Sequence, residues 1–197
     1  MDINQYKAVQ QWARDLDGVF AISDLKVLLD EQSNATCYRQ LARLVETGTL
    51  IKIKQGIYST PDASLTHISN KIAPNSYIST GTILAQNAII GSIPAHRVQA
   101  VKTGRPRTYK CALGTIEHLS IDPRLFFGFS LLNGIRVATP EKAFLDVCYF
   151  FYKGKRFSFD PAEDINTHDL DFNIIAGYLK KYEKRFVTFF NQIWRRK

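Results

Sequence analysis

The sequence predicts an α+β protein in two parts, a small helical domain with a β-ribbon and a larger mixed α+β domain behind it. Three observations carry this reading. Helical periodicity recurs in three short segments before Gly48, a clean apolar–basic alternation follows at Leu50–Lys54, and the texture changes beyond Pro61. The boundary therefore falls between residues 61 and 62, giving domains 1–61 and 62–197.

In the first domain, Asn4 to Arg14 places Tyr6, Val9, Trp12 and Ala13 at helical spacing. Val19-Phe20-Ala21-Ile22 is a short apolar bridge. Ser23 is placed to cap a second helix, with Asp24 complementing its positive end and Leu28-Leu29 closing it. Asp30–Ser33 is a polar turn. A third helix starts near Asn34, which can cap it, and stops at Thr47-Gly48. In Leu50-Ile51-Lys52-Ile53-Lys54 the isoleucines share one face and the lysines the other. Gln55-Gly56 then suits a tight turn into a return strand at Ile57-Tyr58.

Three helices and a ribbon within some sixty residues describe a winged helix-turn-helix, in which the third helix enters the DNA major groove and the ribbon follows the backbone. Such a module can also serve dimerisation alone, but the facing of its residues favours DNA. On the third helix Cys37, Leu41, Leu44 and Val45 form an apolar stripe. Thr36, Arg39, Gln40 and Arg43 point the other way, with Tyr38 at the edge. Guanidinium suits guanine, amide suits adenine and hydroxyl suits phosphate. Charge follows the same face: residues 36–58 carry +3 and residues 1–31 carry −3. The expected DNA-binding set is Thr36, Tyr38, Arg39, Gln40, Arg43, Lys52 and Lys54.

Beyond Pro61, Ser64–Ala73 and Gly81–Ala88 read as helices, the second capped by Thr80. Arg97–Lys102, Thr108–Ala112, Thr115–Ile121 and Phe126–Leu131 read as strands separated by Gly104, Gly114 and Gly128. Thr139-Pro140-Glu141 opens a strong helix, with Thr as cap, Pro in first place and Glu in the first turn. Ala143, Phe144, Val147, Phe150 and Phe151 give it a broad buried face. Asp146, beside that face, suits a partner contact or a buried acid paired with a base. Phe157–His168 reads as loop, and helices near Asp169–Tyr182 and Glu183–Arg195 end the chain.

Of 197 residues, 45% are hydrophobic and 22% charged, the balance of a folded protein. Neither a membrane-spanning run nor a signal sequence is evident, so a cytoplasmic protein without a membrane partner is expected. Cys37, Cys111 and Cys148 are odd in number and far apart, which suits free thiols. The net charge of +8 lies wholly in residues 62–197. It concentrates in Arg97, Lys102, Arg105, Arg107 and Lys110, a possible second basic surface, and in Lys180–Lys197, where seven bases face Glu183 alone. Such runs favour a polyanion or an acidic protein face, or simply a solvated surface. His67, His96, His118 and His168 have no partners at metal-ligand spacing, and no phosphate-cradling glycine loop is present. Neither catalysis, nor a metal, nor a cofactor is expected.

Three marks together resemble the AbiEi family, antitoxins of bacterial type IV toxin–antitoxin systems. The first is Gly48-Thr49-Leu50-Ile51-Lys52-Ile53-Lys54-Gln55-Gly56-Ile57-Tyr58, similar to that family's wing, with Gln55 in place of the usual base and Ile57 in place of valine. The second is Tyr77-Ile78-Ser79. The third and most specific is Val137-Ala138-Thr139-Pro140-Glu141-Lys142-Ala143-Phe144-Leu145-Asp146, similar to the Thr-Pro-Glu-Lys-Ala-Leu-Leu-Asp signature of the antitoxin domain. The marks cover about residues 1–152; the tail after Phe157 carries none. The resemblance implies an N-terminal domain that binds operator inverted repeats in double-stranded DNA and represses its own operon. It also implies a C-terminal domain that counters a nucleotidyltransferase-like toxin, in many members without a stable complex. A stand-alone regulator with a ligand-sensing or dimerising second domain, and an enzyme acting on nucleic acid, remain the competing readings.

Overall fold

Val9, Trp12 and Ala13 line the inner side of helix α1 (Ile3–Asp15), as their spacing predicts, while Tyr6 stays exposed and Leu16, just past the helix, packs on the same core. The computed structural model describes residues 3–31 and 33–194. It is 41% helical and 21% strand, so the α+β class holds. After α1, the apolar bridge is a true strand, β1 (Val19–Ala21). Helix α2 (Ile22–Leu28) begins one residue before Ser23, and Asp24 accepts the Ala21 N–H at 2.8 Å in place of the expected serine cap. Helix α3 (Asn34–Glu46) is capped by Ser33, not Asn34: the serine hydroxyl accepts the Thr36 N–H. Gln32, in the polar turn between them, lies outside the described residues.

Strands β2 (Ile51–Lys54) and β3 (Ile57–Ser59) pair antiparallel, with Lys54 opposite Ile57 across a two-residue turn. Gly56, at φ +78°, supplies the left-handed residue that such a turn needs. β1 adds to the other side of β3, giving the order β1-β3-β2. One core joins Val9, Phe20, Leu25, Cys37, Leu41, Leu44, Leu50 and Tyr58.

The chain divides into two compact units, but not at residue 61. The first takes residues 1–74 and 108–116, and the second 75–107 and 117–197. The cause is a second apolar cluster. Helix α4 (Leu65–Ile72) is capped by Ser64, and its Ile68 is fully buried with Val19, Ile53 and Ile116. Lys71 of α4 also pairs with Asp24 at 2.8 Å. Burial pushes the Asp24 carboxyl up, but Lys71 and the Ala21 N–H outweigh it and hold the group below its usual range.

The second unit contains strands that sequence reasoning missed. β4 (Ser76–Ile78) is three residues long and buried throughout, so it shows no alternation. α5 (Gly81–Gln86), β5 (Arg97–Lys102), β6 (Arg107–Cys111) and β7 (Gly114–Ser120) follow close to expectation, β6 from residue 108 and β7 up to residue 116 counting with the first unit. Thr80 does not cap α5; at φ 54° its hydroxyl turns to Gln99 instead. The strand expected at 126–131 starts only at Phe129, as β8 (Phe129–Leu132). A 3₁₀ turn at Pro123–Leu125 and Gly128 at φ +76° bend the chain before it. β9 (Ile135–Ala138) returns antiparallel to β8 and pairs parallel with β4. The six strands are ordered β6-β7-β5-β4-β9-β8.

Helix α6 (Pro140–Tyr152) begins with Thr139 accepting the Lys142 N–H, as its capping chemistry predicts. Helices α7 (Phe172–Leu179) and α8 (Lys184–Ile193) complete the unit, Phe144 meeting Phe190 and Trp194 edge-on. Arg195, at the expected end of the last helix, lies outside the described residues. Cys37 and Cys148 are buried free thiols; Cys111 is only half-buried. No helix among the described residues is long and apolar enough to cross a membrane.

Candidate nucleic-acid interface

Three residues of α3 are fixed inward: Cys37, Leu41 and Leu44 are buried, and they set the rotation of the helix. At 100° per residue this leaves Arg39 and Arg43 near the centre of the opposite side. Both are exposed, and among the described residues neither guanidinium has an ion-pair partner. Tyr38 lies at one border, 45% exposed. Thr36 and Gln40 lie at the other, each half-buried. Gln40 is less free than its sequence position suggests, because its side-chain amide donates to Glu31 at 3.4 Å. Exposed Glu46 closes the helix, so the positive part of this face runs from Arg39 to Arg43 and stops short of its last residue.

The ribbon presents Lys52 exposed and Lys54 half-buried, its ammonium reaching the Gln55 carbonyl at 3.3 Å. The pairing register slips between these two residues, a bulge that interrupts strict alternation. Helix and ribbon belong to the first unit, and Leu50 and Tyr58 of the ribbon segment pack with the inner face of α3. Two arginines on a rigid helix and two lysines on a hairpin can thus supply guanine-reading and phosphate-binding groups from one core.

The second basic set is less unified. Arg97, Arg105, Arg107 and Lys110 are exposed and Lys102 is half-buried. Arg97, Lys102, Arg105 and Arg107 belong to the second unit and Lys110 to the first. Lys102 donates to the Thr103 carbonyl at 3.3 Å, and Arg97 helps hold the Glu117 carboxyl down. Burial opposes that shift on Glu117; hydrogen bonds from Lys155 and Gln99 outweigh it.

The most elaborate polar cluster is one that sequence reasoning reached only in part. Lys142 and Asp146, one turn apart on α6, are both fully buried, with Nζ 2.5 Å from Oδ1. Tyr77 Oη and Ser79 Oγ donate to Asp146 Oδ2 at 2.9 and 2.7 Å, and Lys142 Nζ reaches Tyr182 Oη at 3.2 Å. Asp146 as a buried, paired acid was legible from its place beside an apolar face. Its hydroxyl partners, more than sixty residues away, were not. Burial pushes Asp146 up and Lys142 down, so both charged forms depend on each other. Lys142, Asp146, Tyr77 and Ser79 are fully buried, and Tyr182 at the edge of the cluster is 7% exposed. Among the described residues no group of three His, Cys, Asp or Glu could hold a metal ion.

The chain matches no protein-family model and no curated protein. Among solved structures it is similar to the RV2827C protein from Mycobacterium tuberculosis, with a TM-score of 0.59 at 13% identity. The match covers 90% of this chain and 71% of that one, a likeness of fold.

Proposed function

We propose that the first unit is a winged helix-turn-helix that binds duplex DNA, with α3 in the major groove and the β2–β3 ribbon on the backbone. The observation that carries this is the pair Arg39 and Arg43, exposed and, among the described residues, without ion-pair partners on the side of α3 opposite its buried stripe. Arginines left idle on a well-packed helix are suited to guanine edges and phosphates. Lys52 and Lys54 on the ribbon extend the same charge.

The protein is further read as an AbiEi-like antitoxin that represses its own operon and counters a nucleotidyltransferase-like toxin. Support comes from the way two resemblance marks meet. Tyr77 and Ser79 of one mark bond to Asp146 of the other, and Lys142 completes the cluster. Residues that a family signature would retain thus have a common structural task, which is what such a signature requires.

Binding of the full-length protein to its own promoter region, measured by anisotropy over a salt series, tests the first part. Arg39→Ala/Arg43→Ala should reduce discrimination between operator and unrelated DNA by about 1–3 kcal/mol per bidentate contact. Operator binding unchanged by that double substitution refutes the reading. For the second part, co-expression with the adjacent gene should rescue growth in the wild type and in the operator-blind variant alike. Loss of rescue in the folded, operator-blind variant would mean that any antitoxic effect works through DNA.

A further inference from the structure

Helix α7 is Phe-Asn-Ile-Ile-Ala-Gly-Tyr-Leu, and only Ile175 of it is buried. Phe172 and Ile174 are 40% and 41% exposed, and Ala176 and Gly177 are exposed as well. A helix with so little polar surface facing water signals a contact surface. Its neighbour α8 does not close over it. Between them runs an open groove of about 770 Å³, floored by Phe172, Ile175, Ala176, Leu179, Val187 and Phe190.

The charge around this groove has one sign. Lys180 and Lys184 line it, and no carboxylate does. Lys181 and Arg185 stand beside them in sequence, Lys181 lying 4.0 Å over the Phe127 ring. The nearby acids are occupied: Glu183 is held by Lys153 at 3.1 Å, and Asp171 accepts the Asn173 and Ile174 N–H groups as the cap of α7. Lys180 and Lys184 have no ion-pair partner among the described residues.

We propose that the α7–α8 groove docks an amphipathic, acid-bearing α-helix of a protein partner. The apolar stripe of that helix lies on the groove floor, and its Asp or Glu residues face Lys180 and Lys184. An apolar floor with a lysine rim is the complement of such a helix in both shape and charge. Duplex DNA offers no apolar surface for the floor. A second copy of this chain, docking by the same face, would bring lysines against lysines. A bilayer is flat and does not fill a concave groove. This inference goes beyond the DNA-binding reading and does not depend on it.

The test uses the full-length protein and three labelled peptides of about five helical turns sharing one leucine stripe. One carries glutamates beside the stripe, one carries lysines, and one is the glutamate peptide broken by a central proline. Anisotropy should show the glutamate helix bound at least about tenfold more tightly than either control, a difference of about 1.4 kcal/mol. Lys180→Gln/Lys184→Gln should weaken binding severalfold and flatten its salt dependence. Ala176→Glu puts a carboxylate on the exposed floor and should weaken it about tenfold or more; its circular dichroism, unchanged from wild type, excludes misfolding as the cause. Equal binding of the three peptides, no binding, or binding indifferent to Ala176→Glu overturns the proposal. So does a wild-type dimer that Ala176→Glu dissociates in sedimentation, or binding to phosphatidylserine vesicles that Ala176→Glu abolishes, since then the groove serves self-association or lipid.

Discussion

Replacing Lys142 by methionine removes the cation from a fully buried carboxylate while keeping an unbranched side chain only one atom shorter. Asp146 would retain the hydroxyls of Tyr77 and Ser79 but lose its 2.5 Å ammonium partner. Breaking one side of a buried pair costs about 3–5 kcal/mol, because the surviving charge stays out of water. For a chain of this size that corresponds to a fall in Tm of about 2–4 °C per kcal/mol. The double variant Lys142→Met/Asp146→Asn has no stranded charge, and the asparagine oxygen can still accept from both hydroxyls. Its cost should fall short of the sum of the two single substitutions by about 2 kcal/mol or more. Burial also sets a sign with pH. With its cation gone, the Asp146 carboxyl stays raised above its unfolded value of about 3.9. The single variant should therefore be most nearly wild-type below that pH and lose stability as pH rises through the folded value. Urea unfolding in a Trp12→Phe background, with Trp194 fluorescence as probe, reads all three quantities. Single variants that are additive, or Lys142→Met within about 0.5 kcal/mol of wild type, would refute the account of the cluster as an interdependent pair.

Lys52→Ala and Lys54→Ala should each lower the slope of log affinity against log salt by roughly 0.9 if the lysine contacts phosphate, with sequence preference unchanged; a titration at several ionic strengths checks this. His118 is fully buried, and burial, followed by the nearby Lys102, depresses it to about 4. It is neutral in the folded protein, so stability should fall as pH drops from about 6.5 towards 4, by up to roughly 3 kcal/mol, and His118→Gln should flatten that slope in urea titrations. A methyl group on Gly128 would stand 2.9 Å from Lys142 Cγ, on a backbone at φ +76°. Gly128→Ala should cost about 2–4 kcal/mol, measured by the same unfolding assay. A fragment of residues 1–61 should melt well below a protein that keeps α4 and the 108–116 segment, since it exposes Val19 and Ile53; equal melting temperatures would contradict the second apolar cluster.

Local chemistry made much of this fold legible. Thr139-Pro140-Glu141 gives the start of α6 because cap, ring constraint and charge all act within one turn. The alternation at Ile51–Lys54 gives β2 for the same kind of reason, as does the apolar stripe of α3 that leaves Arg39 and Arg43 outward. What sequence could not supply was pairing at a distance. Nothing near Ser76–Ile78 marks it as a strand lying between β5 and β9, because a strand buried throughout has no period to read. Nothing in residues 108–116 announces that Ile116 belongs with Val19 and Ile53. Capping was legible in kind but not in place: Ser33 rather than Asn34, and Asp24 rather than Ser23. The α7–α8 groove was invisible, since an apolar helical segment reads as core whether or not a neighbour covers it.

The return of residues 108–116 to the first unit gives the protein a timetable. A ribosome finishes Pro74 roughly 40 codons before Ile116, an interval of about 2–8 s at the usual rate of elongation. Through that interval α1, α3 and the ribbon are already made, but Ile116 is missing from the cluster that holds Val19, Ile53 and Ile68. The ribbon proposed to follow the DNA backbone is thus synthesised early and covered late, while α3 already has its own core. A nascent chain arrested before Thr108 leaves Val19 and Ile53 beneath the ribbon incompletely covered, so if the proposed DNA contacts hold, such a fragment should bind more weakly than the whole chain.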